Sequence, residues 1–62
     1  MNRLRQAPKV GDWIRAIKKT GRIVVIIGKI LEIYLGGFEV EMEGGLKRYV
    51  TYEHYDIERW EV

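Results

Sequence analysis

The chain contains no cysteine and no serine, a single histidine and a single proline, and no long hydrophobic run. Without cysteine, neither disulfides nor a thiolate zinc site can form, so packing must stabilise a domain of only 62 residues. Nucleophilic triads that use serine or cysteine are excluded as well. The longest apolar stretch is residues 23–27, whereas a membrane-spanning helix needs roughly 20 residues. With no secretory signal at the first residues, we expect a cytoplasmic protein. Because the nucleophiles of such triads are missing, we expect that it is not an enzyme.

The charged residues are divided unevenly along the chain. Residues 1–22 have a net charge of +6, with Asp12 as the only acid, and residues 23–62 have a net charge of −4. Cations that contact phosphates and aromatic rings that stack on bases are typical of nucleic-acid-binding surfaces. We therefore predict a basic nucleic-acid-binding face made of Arg3, Arg5, Lys9, Trp13, Arg15, Lys18, Lys19 and Arg22. The alternative is that Trp13 packs in the core and the lysines only keep the domain soluble.

The first half of the chain has the pattern of two strands. Residues 13–17 are rich in strand formers, and a polar connection with Gly21 follows them. Residues 23–27 are all β-branched, which disfavours a helix and predicts a second strand from residue 22. An isolated Gly28 then predicts a bulge or bend, after which residues 30–35 continue the bent strand or begin the next one. A short helix at residues 29–35 is a further alternative, with little room for it between the flanking glycines.

The second half is predicted to form a hairpin and a last strand. Residues 38–43 alternate strictly between apolar and acidic side chains, so one face is buried and the other is a row of carboxylates. A two-residue turn at Gly44 and Gly45 leads into residues 46–51 and would place Glu41 opposite Arg48. One helical turn at residues 52–55 precedes a last strand at residues 56–62, anchored by Ile57 and Trp60.

This order of elements predicts an all-β fold, a five-stranded SH3-like barrel over residues 9–62 with a short helical turn before the last strand. Residues 1–8 lack periodicity and are predicted to be a flexible basic arm. The runs VGDWIR at residues 10–15, GRIV at 21–24 and YEHYDIE at 52–58 resemble the opening and the ending of SH3-like barrels of the KOW and Tudor types. That resemblance implies a binding module.

The chain is also similar to the plasmid-borne type II dihydrofolate reductases. The runs GDWIR at residues 11–15, GRIV at 21–24, GFEVE at 37–41 and IER at 57–59 occur in comparable order. In that family, a valine-glutamine-isoleucine-tyrosine run lines the pore of a tetramer. The corresponding run here is YVTY at residues 49–52, with Val50 at the glutamine position. This resemblance implies an oligomeric reductase as a third function.

A second group of aromatic residues lies in the acidic half. Ring faces and nearby carboxylates attract cationic groups, so a groove for a protein partner is predicted at Tyr49, Tyr52, Tyr55 and Trp60. The alternative is that Tyr52 and Trp60 close the barrel. His54 is the sole histidine, and we interpret it as a surface or packing residue. No metal ligands and no cofactor are predicted.

Three functions therefore follow from the sequence. The first is a non-enzymatic module that contacts DNA or RNA through the basic face. The second is a protein-interaction module, such as a phage- or plasmid-type regulator or inhibitor, that uses the tyrosine groove or a strand edge. The third is the reductase-like oligomer. Head-to-tail contact between copies, with the acids of one meeting the cations of another, would also account for the divided charge.

Overall fold

The computed structural model describes residues 7–60 as one antiparallel sheet. No helix occurs between these residues, which confirms the predicted all-β class with five strands. The strand order in the sheet is β4-β3-β2-β1-β5. The strands are β1 (Trp13–Lys18), β2 (Val25–Tyr34), β3 (Gly37–Met42), β4 (Lys47–Thr51) and β5 (Tyr55–Arg59).

The sheet is curled, because its two edge strands are consecutive in the chain. In a flat five-stranded sheet the edges would be about 19 Å apart. Residues 52–54 join β4 to β5, and the four steps from Thr51 to Tyr55 span at most about 14 Å. The connecting turn is tied to two distant loops, since the Tyr52 N–H donates to the Gly36 carbonyl at 3.0 Å and the Lys19 N–H donates to the His54 carbonyl at 2.9 Å. The curled sheet is consistent with a barrel, although β4 and β5 form no hydrogen-bonded pair within residues 7–60.

Strand β2 is a single bent strand of ten residues, which settles the alternatives left open after Gly28. A Cβ atom at Gly28 would lie 2.9 Å from the Glu41 carbonyl oxygen, so β3 approaches this position too closely for any side chain. The register with β3 then shifts between Ile30 and Glu32. A bulge of this kind bends a strand, and the second half of β2 stays paired with β3 as far as Tyr34 opposite Gly37.

The inner face of the sheet forms the hydrophobic core. Its buried side chains are Ile14, Ala16, Ile26, Ile30, Phe38, Val40 and Val50. The alternation in β3 is confirmed, since Phe38 and Val40 are buried while Glu39 and Glu41 face outward and are half-buried. Ile57 packs against this core as predicted.

The β3–β4 hairpin has a three-residue loop, so the predicted register was wrong. The Met42 N–H donates to the Leu46 carbonyl at 2.7 Å, which leaves Glu43, Gly44 and Gly45 in the loop. Both glycines have positive φ, 92° and 87°, a conformation that glycine adopts without steric cost. As a result Glu41 lies opposite Lys47 rather than Arg48, and Glu39 lies opposite Tyr49.

The remaining predicted elements are shorter or fall outside the described residues. Residues 52–54 form a single turn in which the His54 N–H donates to the Thr51 carbonyl at 3.3 Å, a spacing typical of one 3₁₀ turn. The last strand ends at Arg59, and its predicted residues 61–62 lie outside the described part, as do residues 1–6 of the predicted arm. Within residues 7–60, no helix has the length and apolar character to cross a membrane.

Candidate partner-binding surface

The charge division along the chain is not preserved in space, because basic β1 pairs with acidic β5. Arg15 lies opposite Glu58, and Ile17 lies opposite Asp56. The Arg15 guanidinium forms an ion pair with the Glu58 carboxylate, and its central carbon lies 5.3 Å from the centre of the Trp60 ring. The charge of Arg15 is therefore compensated within the sheet, and its side chain is held between an acid and an aromatic ring.

The residues predicted to bind nucleic acid do not form one face. Trp13 begins β1 and Lys18 ends it, so they are about 17 Å apart along the strand and point to opposite faces of the sheet. Lys9 lies at the Trp13 end, where its N–H donates to the Asp12 carboxylate at 2.9 Å. Arg3 and Arg5 lie outside the described residues.

A smaller basic surface remains at the connection between β1 and β2. We call residues 18–24 the basic loop. Its exposed residues include Lys19, Arg22 and Ile23, and Ile23 is 81% exposed. Lys18, at the end of β1, is half-buried. The basic loop contains three of the eight residues predicted to bind nucleic acid, namely Lys18, Lys19 and Arg22.

The four predicted partner-binding aromatics are also separated. Tyr49 contacts Tyr34, Tyr52 contacts Phe38, Tyr55 packs against the core, and Trp60 lies beside Arg15. They therefore do not line a common groove. The physical reason is that Tyr49 faces outward from β4, whereas the Tyr52 ring packs against Phe38 of the inner face.

The structure instead brings Tyr49 to Tyr34, a residue that the sequence analysis did not assign to this surface. Their ring centroids are 5.5 Å apart at an interplanar angle of 79°, an edge-to-face pair. Tyr34 is the last residue of β2 and lies opposite Gly37 of β3, the strand between β2 and β4. Because Gly37 has no side chain, nothing at this position separates the rings of Tyr34 and Tyr49. The contact between the two rings depends on β2 continuing without interruption to Tyr34. The sequence did not show whether residues 30–35 continue that strand, so this contact could not be predicted.

Exposed apolar side chains cluster around the turn between β2 and β3. Tyr34 and Tyr49 contact each other on the outer face, Leu35 lies in the turn, and the Tyr52 ring packs towards the inner face. We call these four residues around the turn the tyrosine turn surface. Leu35 is fully exposed, and Tyr34, Tyr49 and Tyr52 are 47%, 54% and 47% exposed. The Tyr52 N–H bond to Gly36 holds the β4–β5 turn against this turn. Groups of exposed apolar side chains commonly mark interaction sites.

Tyr34, Glu39 and Tyr49 line an open pocket of about 340 Å³ within this surface. Glu39 lies directly opposite Glu32 of β2, a cross-strand pair of like charges. Desolvation, followed by the negative charges of Glu32 and Glu39, raises the pKa of Tyr34 above its ordinary value of 10.0. The pocket therefore combines two aromatic rings with a negative potential.

Removing one of these charges should be visible in the ionisation of Tyr34. We expect Glu39→Gln to lower the pKa of Tyr34 towards 10.0, because the phenolate would then form next to one carboxylate fewer. The pH dependence of the Tyr34 ring resonances in NMR spectra measures this value. Glu53→Gln, an exposed acid in the β4–β5 turn, is the matched control and should leave it unchanged. An unaltered Tyr34 titration in Glu39→Gln would show that Glu39 does not act on the ring.

Two further predicted positions have clear surroundings. Val50, at the position of the reductase pore glutamine, is fully buried in the core. The Nδ1 atom of His54 lies 3.1 Å from the Thr51 hydroxyl oxygen, and the His54 side chain is exposed. No group of three possible metal-ligating side chains occurs in the part of the chain that the structure describes.

No family model, no curated protein and no solved structure matches this chain. The fold and the arrangement of its surface residues therefore carry the functional argument, and the class they define is a small all-β, five-stranded protein.

Proposed function

We propose that the protein is a non-enzymatic interaction module that binds a protein partner through the tyrosine turn surface. The observation that carries this proposal is the group of exposed apolar side chains around one turn, with Leu35 fully exposed next to Tyr34. Full burial of one leucine side chain contributes about 1.5–3 kcal/mol. A partner that covers this surface would bury these side chains, and the removal of their apolar area from water would stabilise the complex.

The surface also has the rigidity that favours binding. Tyr34 is on β2 and Tyr49 is on β4, the two strands that flank β3 in the hydrogen-bonded sheet, and the edge-to-face contact limits the motion of both rings. Tyr52 is restrained by its contact with Phe38, whose ring centre is 5.5 Å away. Tyrosine side chains held in this way lose little conformational entropy on association and are frequent among the residues that dominate interface energies.

A capture experiment tests the proposal. The full chain is immobilised and exposed, after nuclease treatment, to a lysate of the cells that encode it. We expect one stoichiometric protein partner, retained by wild type and lost at least tenfold with Leu35→Asp, because the new carboxylate would have to be desolvated at the interface. Ile23→Asp is the matched control, since Ile23 is also apolar and highly exposed but lies in the basic loop.

Two results would contradict this assignment. Equal capture by wild type and Leu35→Asp would place the interface elsewhere. Loss of capture with Ile23→Asp alone would move it to the basic loop. Circular dichroism of both variants should match wild type, because each substitution is at an exposed turn or loop position.

A nucleic-acid-binding function is the second candidate, and the basic loop is the observation that favours it. Lys19 and Arg22 are exposed there, and neither forms an ion pair within residues 7–60. Both are available to contact phosphates. The exposed Ile23 between them and β2 adds an apolar side chain of the kind that some proteins insert between base steps.

The charge-reversed double variant Lys19→Glu, Arg22→Glu tests this second function. We expect wild type to bind duplex or single-stranded oligonucleotides with an affinity that falls steeply as salt rises, because phosphate contacts release counterions. The double variant should lose this binding, and Leu35→Asp should retain it. Fluorescence polarisation at several salt concentrations measures both. An affinity that does not change with salt, or no binding at low salt, would remove the nucleic-acid function.

A further inference from the structure

The pocket formed by Tyr34, Glu39 and Tyr49 has a geometry suited to a flat cation. Because the two rings are nearly perpendicular, one ring can offer its negative face while the other closes the side of the pocket. Glu39 extends from the strand between them. Aromatic faces beside a carboxylate attract cationic groups and repel phosphates and carboxylates.

The negative charge at this pocket is not compensated by the chain itself. Neither Glu32 nor Glu39 forms an ion pair within residues 7–60, and the ion pairs there involve Glu58 and Asp12. The nearest cations in the register, Lys29 and Lys47, lie on either side of Glu41, at the next outward position of β3. Two glutamates directly opposite each other on adjacent strands are destabilising. A positive group placed in the pocket would relieve that repulsion.

We propose that this pocket binds the guanidinium group of an arginine side chain presented by the protein partner. The inference rests on the proposed interaction function, and it adds the chemistry that the partner must supply. A guanidinium stacks on a tyrosine face through its planar surface and donates two parallel hydrogen bonds to a carboxylate. An ammonium group is a more compact and more strongly hydrated charge that makes neither contact as well.

A small peptide tests the pocket without knowledge of the partner. The probe is acetyl-Gly-Arg-Gly-amide, and its matched control has citrulline in place of arginine, which keeps the shape and removes the charge. We expect saturable shifts of the Tyr34 and Tyr49 ring resonances in NMR titrations of the full chain with the arginine peptide. The citrulline peptide should produce none at the same concentrations.

Variants separate the roles of the charge and the rings. Glu39→Gln should weaken the arginine peptide about tenfold, because a charge-assisted hydrogen bond is lost. Tyr34→Phe keeps the ring and should bind like wild type, whereas Tyr34→Ala should lose the binding. Glu53→Gln lies outside the pocket and should have no effect. Equal responses to the two peptides, or an unchanged affinity in Glu39→Gln, would overturn the proposal.

The same variants distinguish this inference from the proposed function. If Leu35→Asp abolishes partner capture and Glu39→Gln leaves it intact, the interface stands and the arginine site is wrong. If the arginine peptide binds in a Glu39-dependent manner while Leu35→Asp still captures the partner, the arginine site stands and the proposed interface is wrong.

Discussion

Replacing Gly37 with alanine is expected to destabilise the protein strongly. A Cβ atom at this position would collide with the Val50 carbonyl oxygen and would lie 2.9 Å from the Thr51 Cα. These are backbone atoms of β4, so no side-chain rotation can relieve the clash. The two strands would have to separate where Gly37 pairs with Thr51, beside the core residues Phe38 and Val50. We expect a loss of about 3 kcal/mol or more, which is the upper range for overpacking.

Such a loss matters because the whole domain is small. A chain of this length has a stability of only about 3–9 kcal/mol. Urea unfolding followed by circular dichroism measures the change. Gly36→Ala is the matched control, since no heavy atom lies within 4 Å of its added Cβ and its φ is not positive, and we expect its stability to stay within about 0.5 kcal/mol of wild type. A Gly37→Ala midpoint equal to that of Gly36→Ala would contradict the close packing of β3 against β4.

Removing the Phe38 ring should have an effect of similar size. Phe38 is the largest of the fully buried side chains. It pairs with Ile33 of β2 on one side and with Val50 of β4 on the other. Truncation to alanine leaves a cavity that the sheet can only partly close, at a cost of about 3–5 kcal/mol. Its ring also contacts Tyr52, so the tyrosine turn surface should lose order together with the core.

Phe38→Leu separates the two consequences. It keeps most of the apolar volume, and we expect a cost below about 1.5 kcal/mol. Urea unfolding compares both variants, and NMR line widths of Tyr52 report on the surface. A Phe38→Ala variant as stable as Phe38→Leu would mean that this position is not central to the core.

Binding losses in Glu39→Gln would not arise from unfolding. Glu39 faces outward, and it lies opposite Glu32, so neutralising it removes a repulsion between like charges. The variant should be at least as stable as wild type. A loss of arginine-peptide binding in Glu39→Gln can therefore be assigned to the pocket and not to a loss of folded protein.

The fold class could be predicted because the local pattern admits few alternatives. The β-branched run at residues 23–27 disfavours a helix, and the alternation from Phe38 to Glu43 indicates which face is buried. The register of the β3–β4 hairpin could not be predicted, because the pattern alone does not show that Glu43 belongs to the loop. The positive φ of both Gly44 and Gly45 permits the three-residue connection.

The surface was harder to predict, because it depends on which strands become neighbours. The count of charges along the chain favoured one basic face, but β1 pairs with β5, and Arg15 is neutralised by Glu58, which is 43 residues away. The same limitation applies to the aromatic residues. Tyr49 was predicted to bind a partner, but its contact with Tyr34 requires β2 to run without interruption beside β3 as far as Tyr34.

Site-specific photocrosslinking tests the central claim most directly. A benzoylphenylalanine at position 35, in the middle of the tyrosine turn surface, is irradiated in the cells that encode the protein, and position 23 in the basic loop is the control. Both side chains are apolar and highly exposed in the native chain. We predict one discrete crosslinked protein from position 35 and none from position 23. A crosslink from position 23 alone, or none from position 35, would contradict an interface at the tyrosine turn surface.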